Sequence, residues 1–277
     1  MARLRTSARV TEFEFAGALE PGESLMGGGI VAQSRPKSRP QSSIPDASAR
    51  RYTRDREAAM TVAAVVIVPD PEMALTRADG ELVLRRVAQA AWSGGAMPAV
   101  VVASQTPQEL RQAVADLAVT LTCPTPGEPQ GIAWFVHGMR TAAAAVTETS
   151  AALLWPFKFA WVDPETVTSL VEAHGAAPEA IVRPAYGGQP GFPILVPVSL
   201  VGRLAELSGQ HGEEAIAALV AAGVPIRHIE LGDPGIVHDM ATPRSDLPDY
   251  QGPPQPAGSP PPEWNAALAA QASDTPG

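Results

Sequence analysis

Between residues 60 and 251 the sequence alternates short, unbroken apolar runs with stretches whose apolar positions recur at helical spacing. Thr61 to Val68 is a β-branched run with no polar face, the pattern of a central strand buried on both sides. Asp79 to Trp92 sets Leu82, Val83, Val87 and Ala90 on one face and Arg85 and Arg86 on the other, and stops at Gly94-Gly95, which predicts an amphipathic helix. Ala99 to Ala103 reads as a second strand. Thr106-Pro107-Gln108-Glu109 then reads as a capping box with proline at the first helical position, opening a helix to about Leu117. Val119 to Thr122 is a short third strand, a Pro/Gly-rich loop covers Cys123 to Gly131, and a helix runs from about Ile132 to Val146.

The stretch Ala151 to Val167, AALLWPFKFAWVDPETV, organises the rest: an apolar strand, a break at Pro156, then Asp163-Pro164 opening a helix to about residue 174. Ala180 to Arg183 and Phe192 to Val196 are strands joined through Gly187-Gly188-Gln189-Pro190-Gly191, and helices follow at about 199 to 207 and 212 to 222. Ile226 to Leu231 and Ile236 to Asp239 form a last pair of strands before Thr242-Pro243 starts a short helix. Strand and helix in alternation predict an α/β fold of three layers, α-β-α, around a mostly parallel, Rossmann-like sheet. In such sheets ligands bind at the carboxyl ends of the strands, so Pro156, Phe157 and Lys158 should face the site.

Composition divides the chain into a polar, disordered N-terminal tail (1–59), one domain (60–251) and a disordered Pro-rich tail (252–277), where Glu263-Trp264-Asn265-Ala266-Ala267 makes at most a brief helix. The first strand begins directly after Met60, which suggests translation starting there, and Gly27-Gly28-Gly29 reads as a linker. Residues 1–59 hold ten Lys/Arg against seven Asp/Glu, so the remaining chain carries -12 of the net -9. That acidity argues against nucleic acid or an anionic membrane as a partner. Unbroken apolar runs such as Val62 to Val68 are far shorter than a membrane span, and the N-terminus lacks a secretory core. The single Cys123 makes no internal disulfide and suits a reducing, cytoplasmic setting, packed as a small hydrophobe.

Three stretches carry a family resemblance. VRPAYGGQPGFPILVPVSL, the helix pair after it, and GIVHDMATPRSDL are similar to the second half of the MobA-like nucleotidyltransferases, especially the molybdenum-cofactor cytidylyltransferases. The family has a glycine-rich turn, Gly-His-Pro with an apolar strand, and an Asp-x-Asp-Thr-Pro-x-Asp ending; Gly191-Phe192-Pro193 and Asp239-Met240-Ala241-Thr242-Pro243 hold those places. The stretch at 151–167 resembles the family's strand that ends in Pro-x-Asp and runs on to a Val-x-Pro-Glu-Thr helix start. Coverage is about residues 61 to 250. It implies a fold like that of the nucleotide-diphospho-sugar transferases, and transfer of a nucleotide from CTP or GTP to a pterin phosphate. That chemistry uses backbone amides and a lysine on the triphosphate, with Mg²⁺ held by carboxylates.

The chain departs from the family where that chemistry sits. After the first strand the family has Leu-Ala-Ala-Gly-x-Ser-x-Arg-Met-Gly-x-x-Lys; here Pro69-Asp70-Pro71-Glu72-Met73-Ala74-Leu75 follows, without glycine or lysine, and Met73 falls near the lysine slot. On the same correspondence the metal-binding Asp of the central strand maps to Lys158 and the second Asp of the late motif to Ala241. A register different by one or two residues would bring Asp163 or Asp239 to the metal instead. The candidate crevice is Pro69, Asp70, Lys158, Arg183, Gly188 and Asp239, with the Lys158 ammonium expected within about 4 Å of the Asp239 carboxylate. His137, His174, His211, His228 and His238 show no ligand spacing and read as surface or packed side chains. Trp134, Trp155 and Trp161 read as core. The expectation is a catalytically degenerate member, without cofactor, acting as a binding or accessory factor beside a molybdenum enzyme or its maturation factor. The alternatives are an active nucleotidyltransferase with a remodelled site, which alone would need Mg²⁺, and a small-ligand binder.

Overall fold

The structure, a computed structural model, describes residues 60–252. The expected tails, and the brief helix near residue 265, lie outside the described residues apart from Gly252. Strand β1 (Thr61–Val68) is followed by a one-turn helix α1 (Pro71–Ala74) and a hairpin, β2 (Arg77–Ala78) and β3 (Glu81–Leu82). Helix α2 (Val83–Ser93), β4 (Ala99–Ala103), α3 (Gln108–Ala113), β5 (Val119–Thr122) and α4 (Ile132–Ala145) come next. Then come β6 (Thr149–Pro156), α5 (Pro164–Ala176), β7 (Ile181–Tyr186), β8 (Gln189–Pro190) and β9 (Ile194–Pro197). Helices α6 (Val201–Glu206) and α7 (Gly212–Ala221) and strand β10 (Ile226–Glu230) complete the regular elements.

The main sheet has the order β10-β7-β9-β6-β1-β4-β5, with β8 paired to β7 off this path. Strand β1 lies parallel between β4 and β6, with Val66 opposite Val101 on one side and Trp155 on the other. Strand β9 is the reversed member, antiparallel to both β6 and β7. The two-residue period of the strands divides their side chains between two cores. Val62, Ala64, Val66 and Val68 pack with Leu153, Trp155 and the inner faces of α2 and α5. Ala63, Val65 and Ile67 pack with Leu154 and with α4, α6 and α7 on the opposite face. The three layers of the predicted fold follow directly from these continuous apolar runs, because only a strand covered on both faces has no use for polar positions.

Three local expectations are corrected. The helix expected from Asp79 begins at Val83, because Asp79-Gly80 forms the two-residue loop of the β2–β3 hairpin with both residues at positive φ (52° and 80°). Asp-Gly suits that turn, since its mirror-image geometry matches strand twist. The capping box at Thr106 does not form. Helix α3 is capped by Pro107 without a side-chain bond and ends at Ala113, while the Thr106 hydroxyl accepts from Arg111 at 3.0 Å. Ile236 to Asp239 is no strand: Pro234–Ile236 is a 3₁₀ turn, since Asp233 caps it and Pro234 fixes its first φ. Among the described residues no helix is long and apolar enough to cross a membrane.

Leu153 is fully buried in β6 at the middle of the sheet. Leu153→Ala is expected to cost about 2–5 kcal/mol in urea unfolding, the range for an aliphatic cavity in a packed core.

Candidate functional site

The carboxyl ends of β1 and β6 lie side by side, and the chain leaves each through a proline-marked break. After β1, Asp70 is the cap of α1: its Oδ1 accepts from the amides of Glu72 at 3.0 Å and Met73 at 3.1 Å, with Pro71 at the first helical position. This is ordinary N-capping chemistry, and it has a consequence for ligands. The two amides free to point outward at this turn are already taken by a carboxylate of the chain. Asp70, Glu72 and Met73 are all exposed.

The segment after β6 is held from several directions. The Phe157 amide donates to the Ile67 carbonyl at 3.2 Å, and the Trp155 indole to the Phe159 carbonyl at 3.0 Å. The Met240 amide donates to the Lys158 carbonyl at 2.8 Å, and the Trp161 indole to the Thr242 carbonyl at 3.0 Å. Asp233, only 2% exposed, completes the clamp: Oδ2 accepts from the Asp163 amide (2.9 Å) and the Thr166 hydroxyl (2.7 Å), and Oδ1 from the Gly235 amide (2.8 Å). Burial pushes the Asp233 carboxyl above the usual carboxylate range, and those three donors only partly offset it. The backbone of Gly235 lies so close to the Trp161 carbonyl that a Cβ there would overlap it.

These bonds bring residues 158 and 239 together. The Lys158 ammonium lies 3.5 Å from Asp239 Oδ2 and over the ring of Phe159 at 5.2 Å. The distance is the one expected, but the side chain is 48% exposed, so the pair contributes at most about 1 kcal/mol. The Asp239 carboxylate reaches it from a turn rather than a strand, with Oδ1 accepting from the Ala241 amide at 3.0 Å.

A cleft of about 260 Å³ opens between these ends. Ile67, Leu154, Pro156, Phe157 and Phe192 form its walls, and Pro69, Lys158, Gly131 and His211-Gly212-Glu213 its mouth. Of the residues singled out in the sequence, Pro69, Pro156, Phe157 and Lys158 line it, and Asp239 borders it through Lys158. Asp70 is turned to its own helix. Arg183 is not among the residues lining the cleft: its side chain is 13% exposed, donates to the Gly191 carbonyl at 3.2 Å and pairs with Glu213 at 2.6 Å. Gly188 does not belong to the crevice; it sits in the β7–β8 turn, its amide donating to Glu230 at 3.2 Å. Cys123 is exposed in the loop after β5, contrary to its expected burial. Trp134, Trp155 and Trp161 are buried, as is His174, which lies 3.1 Å from the Ser150 hydroxyl.

Sequence reasoning missed Asp233 and Glu213; it placed the start of α7 correctly but not its position at the cleft. Asp233-Pro234-Gly235 carried a cap signal that the strand reading of 236–239 obscured. On the correspondence implied by the family resemblance, Lys158 and Ala241 stand in the metal slots. An ammonium and a methyl group supply no oxygen donor, so these residues do not fit Mg²⁺. Among the described residues no three His, Cys, Asp or Glu side chains converge in a way that could hold a metal ion.

Asp233→Ala is expected to destabilise the protein by about 3 kcal/mol or more, since three donors lose a buried acceptor. Its pH dependence has a definite sign. A carboxyl raised by burial stabilises the fold fully below the ordinary carboxylate range, and this contribution is lost as the pH rises through the folded value. Asp233→Asn lacks that slope, so urea unfolding of the two proteins at acid and neutral pH should shift against the wild type as the pH rises. Lys158→Ala, by contrast, should change stability by less than about 1 kcal/mol.

No curated protein matches the chain in sequence. Among solved structures, a nucleotidyl transferase from Methanothermobacter thermautotroptrophicus aligns with a TM-score of 0.52 at 16% identity, covering 61% of this chain and 87% of its own. The 4-diphosphocytidyl-2C-methyl-D-erythritol synthase of Anaerococcus prevotii aligns with a TM-score of 0.55 at 8% identity, covering 68% and 92%. A CMP:2-keto-3-deoxy-manno-octonic acid synthetase complexed with CTP gives 0.50 at 13% identity, covering 62% and 90%. These likenesses establish a shared nucleotidyltransferase fold. The family model of the MobA-like NTP transferase domain matches residues 72–225, more than half of the 277 residues, and the chain therefore belongs to that family.

Proposed function

We propose that this member of the family does not transfer nucleotides and works as a binding or accessory protein built on the transferase fold. The observation that carries the reading is the turn after β1. Asp70 caps α1 with its own carboxylate and occupies the amides of Glu72 and Met73. Two acids, Asp70 and Glu72, stand at the exit of the strand, where a triphosphate would meet repulsion in place of a cradle. Donors aimed at developing charge are usually the largest single source of rate enhancement, so a site without them has lost the main instrument of the reaction. Lys158 supports the same reading, because its ammonium faces Asp239 where the family pattern has a metal carboxylate. The setting we propose, beside a molybdenum enzyme or its maturation factor, rests on the sequence resemblance to molybdenum-cofactor cytidylyltransferases.

The expected outcome is no pyrophosphate release above control when the purified full chain is incubated with Mg²⁺, CTP or GTP, and molybdopterin. Lys158→Asp should stay equally silent, since Asp70 still holds the α1 amides. Mg²⁺-dependent turnover by either protein, surviving repurification, would overturn the reading.

A further inference from the structure

The cleft between β1 and β6 has a definite chemistry. Its walls are hydrocarbon: Ile67, Leu154, Pro156, Phe157 and Phe192. Its volume, about 260 Å³, lies just below the roughly 300–1,000 Å³ of pockets for drug-sized ligands, so its occupant is small. A ribose or triphosphate would bury many polar atoms against these walls without partners, which is costly.

Of the two charged residues that line the cleft, Lys158 and Glu213, Lys158 is the one an anion could meet. Lys158 is half exposed, and its contact with Asp239 is a single 3.5 Å approach, longer than the roughly 2.7–2.9 Å of a strong charge-assisted bond. An ammonium has three donors, and this contact leaves donors available at the mouth. The acid at the mouth, Glu213, is held by Arg183 at 2.6 Å, which weakens its repulsion of an incoming anion. Gly131, where α4 begins, also lines the cleft, but the first amide of that helix, Ile132, donates to the Gln210 carbonyl at 3.3 Å, which leaves Lys158 as the cation a ligand would meet. Resting on the reading of a site that does not transfer nucleotides, we propose that this cleft binds a small organic carboxylate with an aromatic or branched apolar body. The body fills the wall of Phe157 and Phe192, and the carboxylate meets Lys158.

The test uses the full-length chain and three probes in calorimetric titration: phenylbutyrate, its neutral amide phenylbutanamide, and CTP with Mg²⁺. Phenylbutyrate is expected to bind saturably at one site, about tenfold more tightly than the amide, a difference of one charge-assisted contact. Lys158→Gln, whose fold is checked by thermal melting, should erase that difference while leaving amide binding within about twofold of wild type. No saturable binding of phenylbutyrate, equal binding of acid and amide, or an acid preference that survives Lys158→Gln would each overturn the proposal and leave the non-transferase reading standing. Displacement of phenylbutyrate by CTP only when Mg²⁺ is present would instead overturn the reading beneath it.

Discussion

Two segments meet on the buried carboxylate of Asp233: the start of α5, through the Asp163 amide and the Thr166 hydroxyl, and the turn at Gly235. Its position decides where the chain after β6 can run. Asp163 is fixed at one end and β6 at the other, and Phe157 to Val162 between them run through turns, with the Phe159 amide donating to the Pro156 carbonyl at 3.1 Å. Lys158 is presented at the cleft as a result. The close approach of Gly235 to the Trp161 carbonyl leaves no room for a side chain, so carboxylate and glycine act as one device. Burial works against the charge of Asp233, and the fold tolerates this because no neutral side chain accepts from three donors in those directions.

On the function proposed above, this sheet edge keeps the family fold while its chemistry changes. The two cores are built mainly from β1, β4, β6, β7 and β9 and the helices over them, and of the turn after Val68 only Ala74 and the half-buried Leu75 pack into one of them. A short turn that satisfies its own amides is locally stable whatever it once faced. Function lives in such grafted segments, and the sheet beneath is indifferent to them. The apolar cleft follows in the same way, since Pro69 and Pro156 present hydrocarbon at strand ends where polar loops would otherwise gather ligand atoms.

Much of this architecture was legible in the sequence, for a physical reason. Runs such as Thr61–Val68 and the strand before Pro156 have no polar face, and only a doubly covered parallel sheet accommodates that. What stayed hidden was short-range or long-range, seldom in between. Asp79-Gly80 was absorbed into the apolar period of α2, although its turn chemistry is decided by two residues alone. Ile236 to Asp239 looked extended because β-branched residues prefer strands, yet Asp233 and Pro234 had already committed the backbone to a turn. The approach of Lys158 to Asp239 is legible in the sequence, though Asp239 makes it from a turn and not from the expected strand. The pairing of Arg183 with Glu213 joins residues on β7 and α7, and nothing in either segment signals the other.

The central claim is that the amides after β1 are committed to Asp70 and closed to phosphate. The most direct measurement is amide-resolved NMR of isotopically labelled protein, following the Glu72 and Met73 N–H signals as pyrophosphate and then Mg²⁺ with CTP are added. The account predicts that both signals stay unmoved by either addition and move only when Asp70→Ala removes their acceptor. Saturable shifts of the Glu72 and Met73 amides in the wild-type protein, strengthened by Mg²⁺, would contradict it.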